Sequence, residues 1–293
     1  MTKGRMIMPH SGEIRFADTV EDAAGLLAAD PELVPMAGAT WEMRADLRRE
    51  ARPGRYLALS RIDALGQIAL SDEDISIGAM ATHAQIATAL TGEAQMRGLA
   101  MAAGLSANPG VRRLATLGGN ICADGFAAAD LVPALMALDA EVELIRGGQT
   151  QRLPLAEFVA MRKDTPRALL TRVIIRRAQG TGAHARLTMR AAGDYPVGIV
   201  SVWMPDDGQS ARIAIGAVEA APRRWTALEQ ALIREITNAP PDPLRAEELA
   251  KAHLDEIAAR DAVDAKGAYR LRVLPHLVGR AMAELAQQQR GNA

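Results

Sequence analysis

The sequence predicts a mixed α+β protein of more than one domain, and three observations carry that expectation. Its 293 residues exceed the ordinary size of a single domain. Stretches with helical periodicity and short apolar runs of strand length are interspersed along the whole chain. Their order lacks the regular strand–helix alternation that builds a doubly wound parallel sheet. Hydrophobic residues make up 49% of the chain but aromatic residues only 3%. The core must therefore be assembled from Ala, Leu, Ile, Val and the 13 Met residues.

The elements are expected in the following order. Thr19 is placed to cap a helix over TVEDAAGLLAAD, with Asp22 three residues on and Ala23, Leu26 and Leu27 on one face; Pro31 stops it. A short apolar strand, Leu33–Met36, runs into the loop Ala37-Gly38-Ala39-Thr40 and then a short helix in WEMRADLRRE. Tyr56–Ser60 and Ile75–Ala79 read as strands, and Thr82 with Gln85 forms a capping box for ATHAQIATAL. A helix near Met96–Leu105 is followed by a Pro- and Gly-containing loop from Asn108 and by Ala115-Thr116-Leu117-Gly118-Gly119-Asn120-Ile121. Ala128–Leu138 reads as a helix, and Glu141–Ile145, Gly147-Gly148 and Thr150–Leu153 as a hairpin. The small, glycine-bearing segment AQGTGAH after Arg177 marks a domain boundary. Beyond it come strands at Ala185–Arg190, Val197–Met204 and Ile213–Val218. Two helical runs close the chain, Pro243–Arg260 and roughly Lys266–Gln288, the latter interrupted near Pro275.

Charge and cysteine content exclude several functions. Lys plus Arg (34) almost balance Asp plus Glu (35), so the broad positive field required by nucleic acid or an anionic membrane is missing, and neither partner is expected. The single Cys122 cannot form an intrachain disulfide or alone hold zinc or an iron–sulfur cluster, so a redox cofactor must be organic or carried by a partner. The first sixteen residues contain no apolar run of signal-peptide length, and no window approaches the roughly 20 apolar residues of a membrane span. Cytoplasmic residence is the expected default.

The most informative segment is Thr116-Leu117-Gly118-Gly119-Asn120. Adjacent glycines let backbone approach a ligand and turn its N–H groups toward an anion such as a pyrophosphate, while Thr116 and Asn120 add neutral hydrogen-bonding groups. An isolated Gly-Gly pair reads more readily as a tight turn with no ligand. Ala37-Gly38-Ala39-Thr40 lies between a strand and a helix, where loop amides and a helix N-terminus can face a phosphate, although alone it reads as an ordinary connection. Two such loops in one unit are better explained by a dinucleotide lying between them. GxGxxG, Walker A, HExxH, CxxC and GxSxG motifs are absent. His83 is expected in a surface or packing role, and Cys122 as a small buried side chain.

Taken together these residues resemble the FAD-binding medium subunit of the xanthine dehydrogenase and carbon monoxide dehydrogenase family of molybdenum hydroxylases. The similarity runs almost end to end. It covers TVEDAAGLLA and AGAT, SRIDALGQI and ISIGAMATHAQIA, is densest in VRRLATLGGNICADGFAAADLVPALMALDAEVEL, and resumes in IGAVEAAPRR and DAKGAYRLRVLPHLVGRAM.

The resemblance implies a two-lobed FAD-binding domain of the PCMH type, with lobe 1 at residues 1–60 and lobe 2 at 61–178. A smaller C-terminal domain with a small antiparallel sheet and helices follows at 184–290. It implies an oxidoreductase flavoprotein that passes electrons to an external acceptor. These come from [2Fe-2S] clusters on a small partner subunit, supplied by a molybdenum cofactor on a large molybdopterin subunit; a nicotinamide nucleotide at the flavin is left open. By position, Ala37, Gly38, Ala39, Thr40 and Trp41 correspond to the first pyrophosphate loop, and Thr116, Leu117, Gly118, Gly119 and Asn120 to the second. Asp130 corresponds to the acidic residue after the second loop, Leu169 to an apolar residue lining the FAD site, and Arg186 to a common lysine. No catalytic side chain and no metal ligand is implied on this chain.

Two features depart from the family pattern. The first loop usually reads Ala-Gly-Gly-Thr followed by Asp or Ser; here Ala39 replaces the second glycine and Trp41 the polar residue. The backbone contacts are expected to survive if Ala39 keeps an ordinary φ. Asp130 also lies one residue further from Asn120 than is common. Two other readings remain open: a free-standing flavoenzyme using Asp124, Asp130 or Glu42 as acid or base, and a non-catalytic scaffold that has lost FAD.

Overall fold

The computed structural model describes residues 13–162, 168–190, 194–235 and 242–291. Three sheets follow one another along the chain, each with its own apolar core. The first is parallel, with strands β1 (Glu13–Phe16), β2 (Val34–Met36) and β3 (Arg55–Ala58) in the order β1-β3-β2. Helix α1 (Val20–Ala29) starts where Thr19 Oγ1 accepts the Asp22 amide at 3.0 Å, and it buries Ala23 and Leu27 against Leu33, Leu57 and Leu59. A 3₁₀ turn (Glu42–Arg44) and the short helix α2 (Ala45–Arg48) follow the first loop.

The second sheet is antiparallel. Strands β4 (Ile68–Leu70) and β5 (Asp74–Gly78) open it, and β6 (Glu141–Arg146), β7 (Gln149–Pro154) and β8 (Leu169–Arg176) complete it in the order β4-β5-β8-β6-β7. Gly147 and Gly148, at φ 56° and 77°, make the β6–β7 turn, a conformation that favours glycine at both positions. Between β5 and β6 lie six segments: helix α3 (His83–Ala89), the 3₁₀ turn Ala94–Met96, and helices α4 (Arg97–Leu105), α5 (Pro109–Arg112), α6 (Leu117–Cys122) and α7 (Leu131–Ala137). Helix α8 (Leu155–Met161) follows β7. Thr82 and Gln85 form the reciprocal capping box on α3.

The third sheet, also antiparallel, has β9 (Gly180–Thr188), β10 (Pro196–Pro205), β11 (Arg212–Gly216) and β12 (Arg223–Arg224) in the order β12-β11-β10-β9. Helices α9 (Thr226–Ile233), α10 (Pro243–Ala252) and α11 (Gly267–Gly291) pack on it. Arg270 is fully buried here and donates to the carbonyls of Val197, Ala217 and Arg260 and to Asp264. The observed class is the α+β arrangement expected from the sequence. Among the described residues no helix is long and apolar enough to cross a membrane.

Several local expectations are corrected. The strand expected from Ala185 begins earlier, at Gly180 within AQGTGAH, because glycines there let strand and helix touch: a Cβ on Gly98 in α4 would lie 3.1 Å from Ala183 backbone, and one on Gly182 would lie 3.2 Å from the Gly98 nitrogen. The segment from Asn108 is a short helix capped by the Asn108 side chain, with proline in its first turn. Helix α7 is shorter than expected, and α10 ends at Ala252, followed by a 3₁₀ turn (Leu254–Glu256). Helix α11 runs unbroken through Pro275, its apolar face held by the third core.

Candidate functional site: a cleft between two glycine loops

A cavity of about 720 Å³ opens where the first two sheets meet. That size suits a sizeable organic ligand. Both glycine loops line it, and they abut directly. A Cβ on Gly38 would sit 1.7 Å from the Leu114 carbonyl oxygen, so only glycine lets the first loop seat against the segment leading into the second. Of the residues assigned from the sequence, Ala37, Gly38, Ala39, Thr40, Trp41, Thr116, Gly118, Gly119, Asn120, Asp130 and Leu169 lie on the cavity wall. Leu117 does not: its side chain is fully buried in the core of the second sheet. Arg186 does not either, and stands behind Asp130.

The loops differ from the expectation in how their amides are used. The segment around Gly118-Gly119 is the first turn of α6, capped by Thr116, rather than an open turn. The Leu117 amide donates to Ala81 O at 2.9 Å and that of Gly118 to Ala79 O at 2.7 Å. The Gly119 amide donates to Thr116 Oγ1 at 3.1 Å and that of Asn120 to Thr116 O at 2.9 Å. None is free for an anion. A Cβ on Gly118 would lie 3.0 Å from the oxygen and Cβ of Ala79, so this glycine serves packing; one on Gly119 would meet only Thr116 Oγ1, at 3.0 Å.

In the first loop, no acceptor among the described residues meets the amides of Gly38, Ala39, Thr40 or Trp41. Ala39 has φ 55°, so it keeps the left-handed conformation a glycine would favour, contrary to the expectation of an ordinary φ. That conformation costs an L-residue about 1 kcal/mol, and a left-handed residue in a tight loop is one of the elements from which an anion-binding nest of amides is built.

Polar side chains complete the wall. Asp130 is buried; Arg186 Nε donates to its Oδ1 at 2.7 Å, and Arg186 Nη2 donates to the Asp194 carbonyl at 3.0 Å. The two residues carried over from the resemblance thus meet as a neutralised pair. Asn120 Oδ1 accepts the Leu131 amide at 3.2 Å, fixing the start of α7. His83, expected on the surface or in packing, is buried on the cavity wall with Nδ1 2.7 Å from Ser106 Oγ. Burial pushes its pKa down to about 4 against the opposing charge of Asp130, so it is neutral at pH 7, and its Nε2 has no hydrogen-bond partner among the described residues. Tyr56 donates to Glu42 Oε1 at 2.7 Å, and burial followed by that carboxylate raises its phenol pKa. Cys122 is exposed on the wall, not buried. Tyr195, Arg44 and Arg48 also line the cleft; nothing in the sequence places them there, because their arrival is tertiary.

These features fit a dinucleotide: open amides for a pyrophosphate, a side-chain-free wall at Gly119, and an orphaned ring nitrogen at His83. Comparison with known proteins specifies the ligand. Residues 11–177 match the FAD binding domain in molybdopterin dehydrogenase, and residues 183–285 match the CO dehydrogenase flavoprotein C-terminal domain. The chain belongs to that family of FAD-binding domains, as an oxidoreductase flavoprotein subunit with FAD as its cofactor. It is 29% identical over 292 residues to the 6-hydroxypseudooxynicotine dehydrogenase complex subunit alpha of Paenarthrobacter nicotinovorans, covering 96% of this chain and 97% of that one. It is 25% identical over 278 residues to the putative xanthine dehydrogenase FAD-binding subunit XdhB of Escherichia coli K12, covering 92% and 94%. The fold is shared with a chain of reconstituted CO dehydrogenase from Oligotropha carboxidovorans at TM-score 0.83 and 24% identity, covering 96% and 99%.

Proposed function

We propose that the chain is the electron-transfer subunit of a molybdenum hydroxylase, assembled in the cytoplasm as a heterotrimer with a small iron–sulfur subunit and a large molybdopterin subunit. Lobes at residues 1–60 and 61–178 hold FAD between them, and residues 184–290 form the C-terminal domain. The observation that carries this reading is that the amides of residues 38–41, which line the same cavity as the second loop, have no acceptor among the described residues. In this reading the nest takes the pyrophosphate. Thr116, Gly118, Gly119 and Asn120 form the opposite wall, and Asp130 with Leu169 bounds the remainder; Arg186 acts by neutralising Asp130. FAD, when bound, can accept electrons singly and release them in pairs. The chain's own task is to bind and orient it. Of the three candidate acids or bases, Asp130 is tied to Arg186, Glu42 to Tyr56 and Asp124 is likewise not without a partner, which favours the subunit over a free-standing flavoenzyme. The relatives named as subunits of dehydrogenase complexes support the partner assignment. The acceptor beyond the flavin, a nicotinamide nucleotide being one candidate, is identified by which compound restores the absorbance of the reduced flavin.

The test is flavin reduction followed by absorbance. The chain alone is expected to show no substrate-dependent bleaching, and reconstitution with both partner chains and a cognate hydroxylase substrate is expected to restore it. Rapid bleaching of the chain alone would overturn the proposal.

A further inference from the structure

Three aromatic rings from separate parts of the chain meet at the rim of the cleft. Trp41 comes from the first loop, Phe126 from the segment after α6, and Tyr195 from the residue before β10. Ring centroids are 4.4 Å apart for Trp41–Phe126, 5.7 Å for Phe126–Tyr195 and 6.1 Å for Trp41–Tyr195. The chain has only three Trp, three Phe and three Tyr, and one of each is used here. Two arginines brace the group. The Arg48 guanidinium lies 3.7 Å from the Trp41 ring centroid and donates to Trp41 O at 2.8 Å; Arg44 lies 5.3 Å from the Tyr195 ring and donates to its hydroxyl at 3.2 Å. All five residues line the cavity and also keep contact with solvent.

We propose that Trp41, Phe126 and Tyr195, braced by Arg44 and Arg48, form a latch across the mouth of the cleft that sets how fast FAD enters and leaves. The inference rests on the proposed reading of the cleft as the FAD site. The contacts join lobe 1, lobe 2 and the C-terminal domain through side chains alone, so rotamer changes can part them while the backbone nest and the Gly119 wall stay in place. The Trp41 ring is already packed by Phe126 and Arg48, which makes it a closing element rather than an open stacking platform. A latch of this kind raises the barrier in both directions and leaves the equilibrium between bound and free cofactor nearly unchanged.

The measurement is FAD release from the flavin-loaded protein, followed by the fluorescence of freed flavin, together with FAD uptake by the stripped protein. In Phe126→Ala both rates are expected to rise about tenfold with affinity changed by less than about threefold, the loss of its two aromatic contacts, to Trp41 and Tyr195, setting that scale. Arg48→Gln, a rim substitution that keeps all three rings, is expected to speed both rates by a smaller factor, and it decides the matter if Phe126→Ala does not fold. Unchanged rates in either variant would overturn the latch. So would faster release with unchanged uptake, because Phe126 would then be a direct contact of the cofactor. Wild-type protein that takes up no FAD, or Gly119→Val protein that retains it, would overturn the reading of the cleft and the latch with it. Unchanged rates in a protein whose flavin is lost on Gly119→Val would overturn the latch alone.

Discussion

In the segment 117–120 every amide is bonded within the protein, whereas across the cleft the amides of residues 38–41 have no acceptor among the described residues. The segment with two adjacent glycines is the closed one, and the loop with a single glycine is the open one. At Gly118 and Gly38 alike, glycine permits close packing, against Ala79 and Leu114 respectively; the proposed capture of the anion falls to the first loop, whose bend is kept by Ala39 in the left-handed region. A glycine pair marks where chain segments must touch. Unpaired amides mark where a phosphate can sit.

The harshest way to break this division is Gly38→Val. The new Cβ would overlap the Leu114 carbonyl, so the loops must separate, with an expected stability loss of about 3 kcal/mol and loss of flavin; urea unfolding and FAD content measure both. Next in size is the acid sensitivity of the second loop's surroundings. His83 is held near pKa 4 when folded, against 6.5 when free. Between those values the unfolded chain binds the extra proton, so stability is full above about pH 6.5 and falls as the pH drops toward 4, by at most about 3 kcal/mol. His83→Phe should flatten that part of a pH-dependent unfolding series; an unaltered slope would show that His83 is not its source.

A paired comparison sharpens the roles of the adjacent glycines. Gly119→Val, whose side chain enters the cleft wall, is expected to lose flavin with little change in the apoprotein melt. Gly118→Ala should lower the melt by an amount equivalent to about 1–2 kcal/mol while the folded fraction still binds FAD. The reverse pattern would exchange their assignments. The smallest effect is expected at Ala39→Gly, which relieves the left-handed strain and stabilises the protein by up to about 1 kcal/mol, with FAD affinity equal or tighter by titration.

The fold was legible where local rules decide it. The Thr19 and Thr82 caps and the Gly147-Gly148 turn are short-range features, and each stands where its residues place it. Strands β1 and β8 were not anticipated from pattern: β1 is a four-residue strand, and β8, buried except at Arg172 and Arg176, shows no period-2 alternation. Pro275 misled because helix propensity was outweighed by the apolar contacts of α11. In the site, the two loops were visible as glycine-bearing segments, but their hydrogen-bonding state was not, since the acceptors at Ala79 and Ala81 come from a different part of the chain. His83 escaped for a related reason. A capped helix start reads as surface, and only the packing of α4 and the second loop around it makes it a buried wall residue.

The glycine contact between α4 and β9 bears on how the molecule melts. Where Gly98 meets Ala183 and Gly182 meets Gly98, the C-terminal sheet rests on the central helix backbone to backbone, with no intervening side chains to slide or change rotamer. Trp203 from β10 packs into the core of the second sheet. A joint without side-chain play leaves little room for hinge bending, so the two halves should lose structure in one cooperative transition, and Tyr195 should keep a fixed station at the rim instead of swinging with a loose domain.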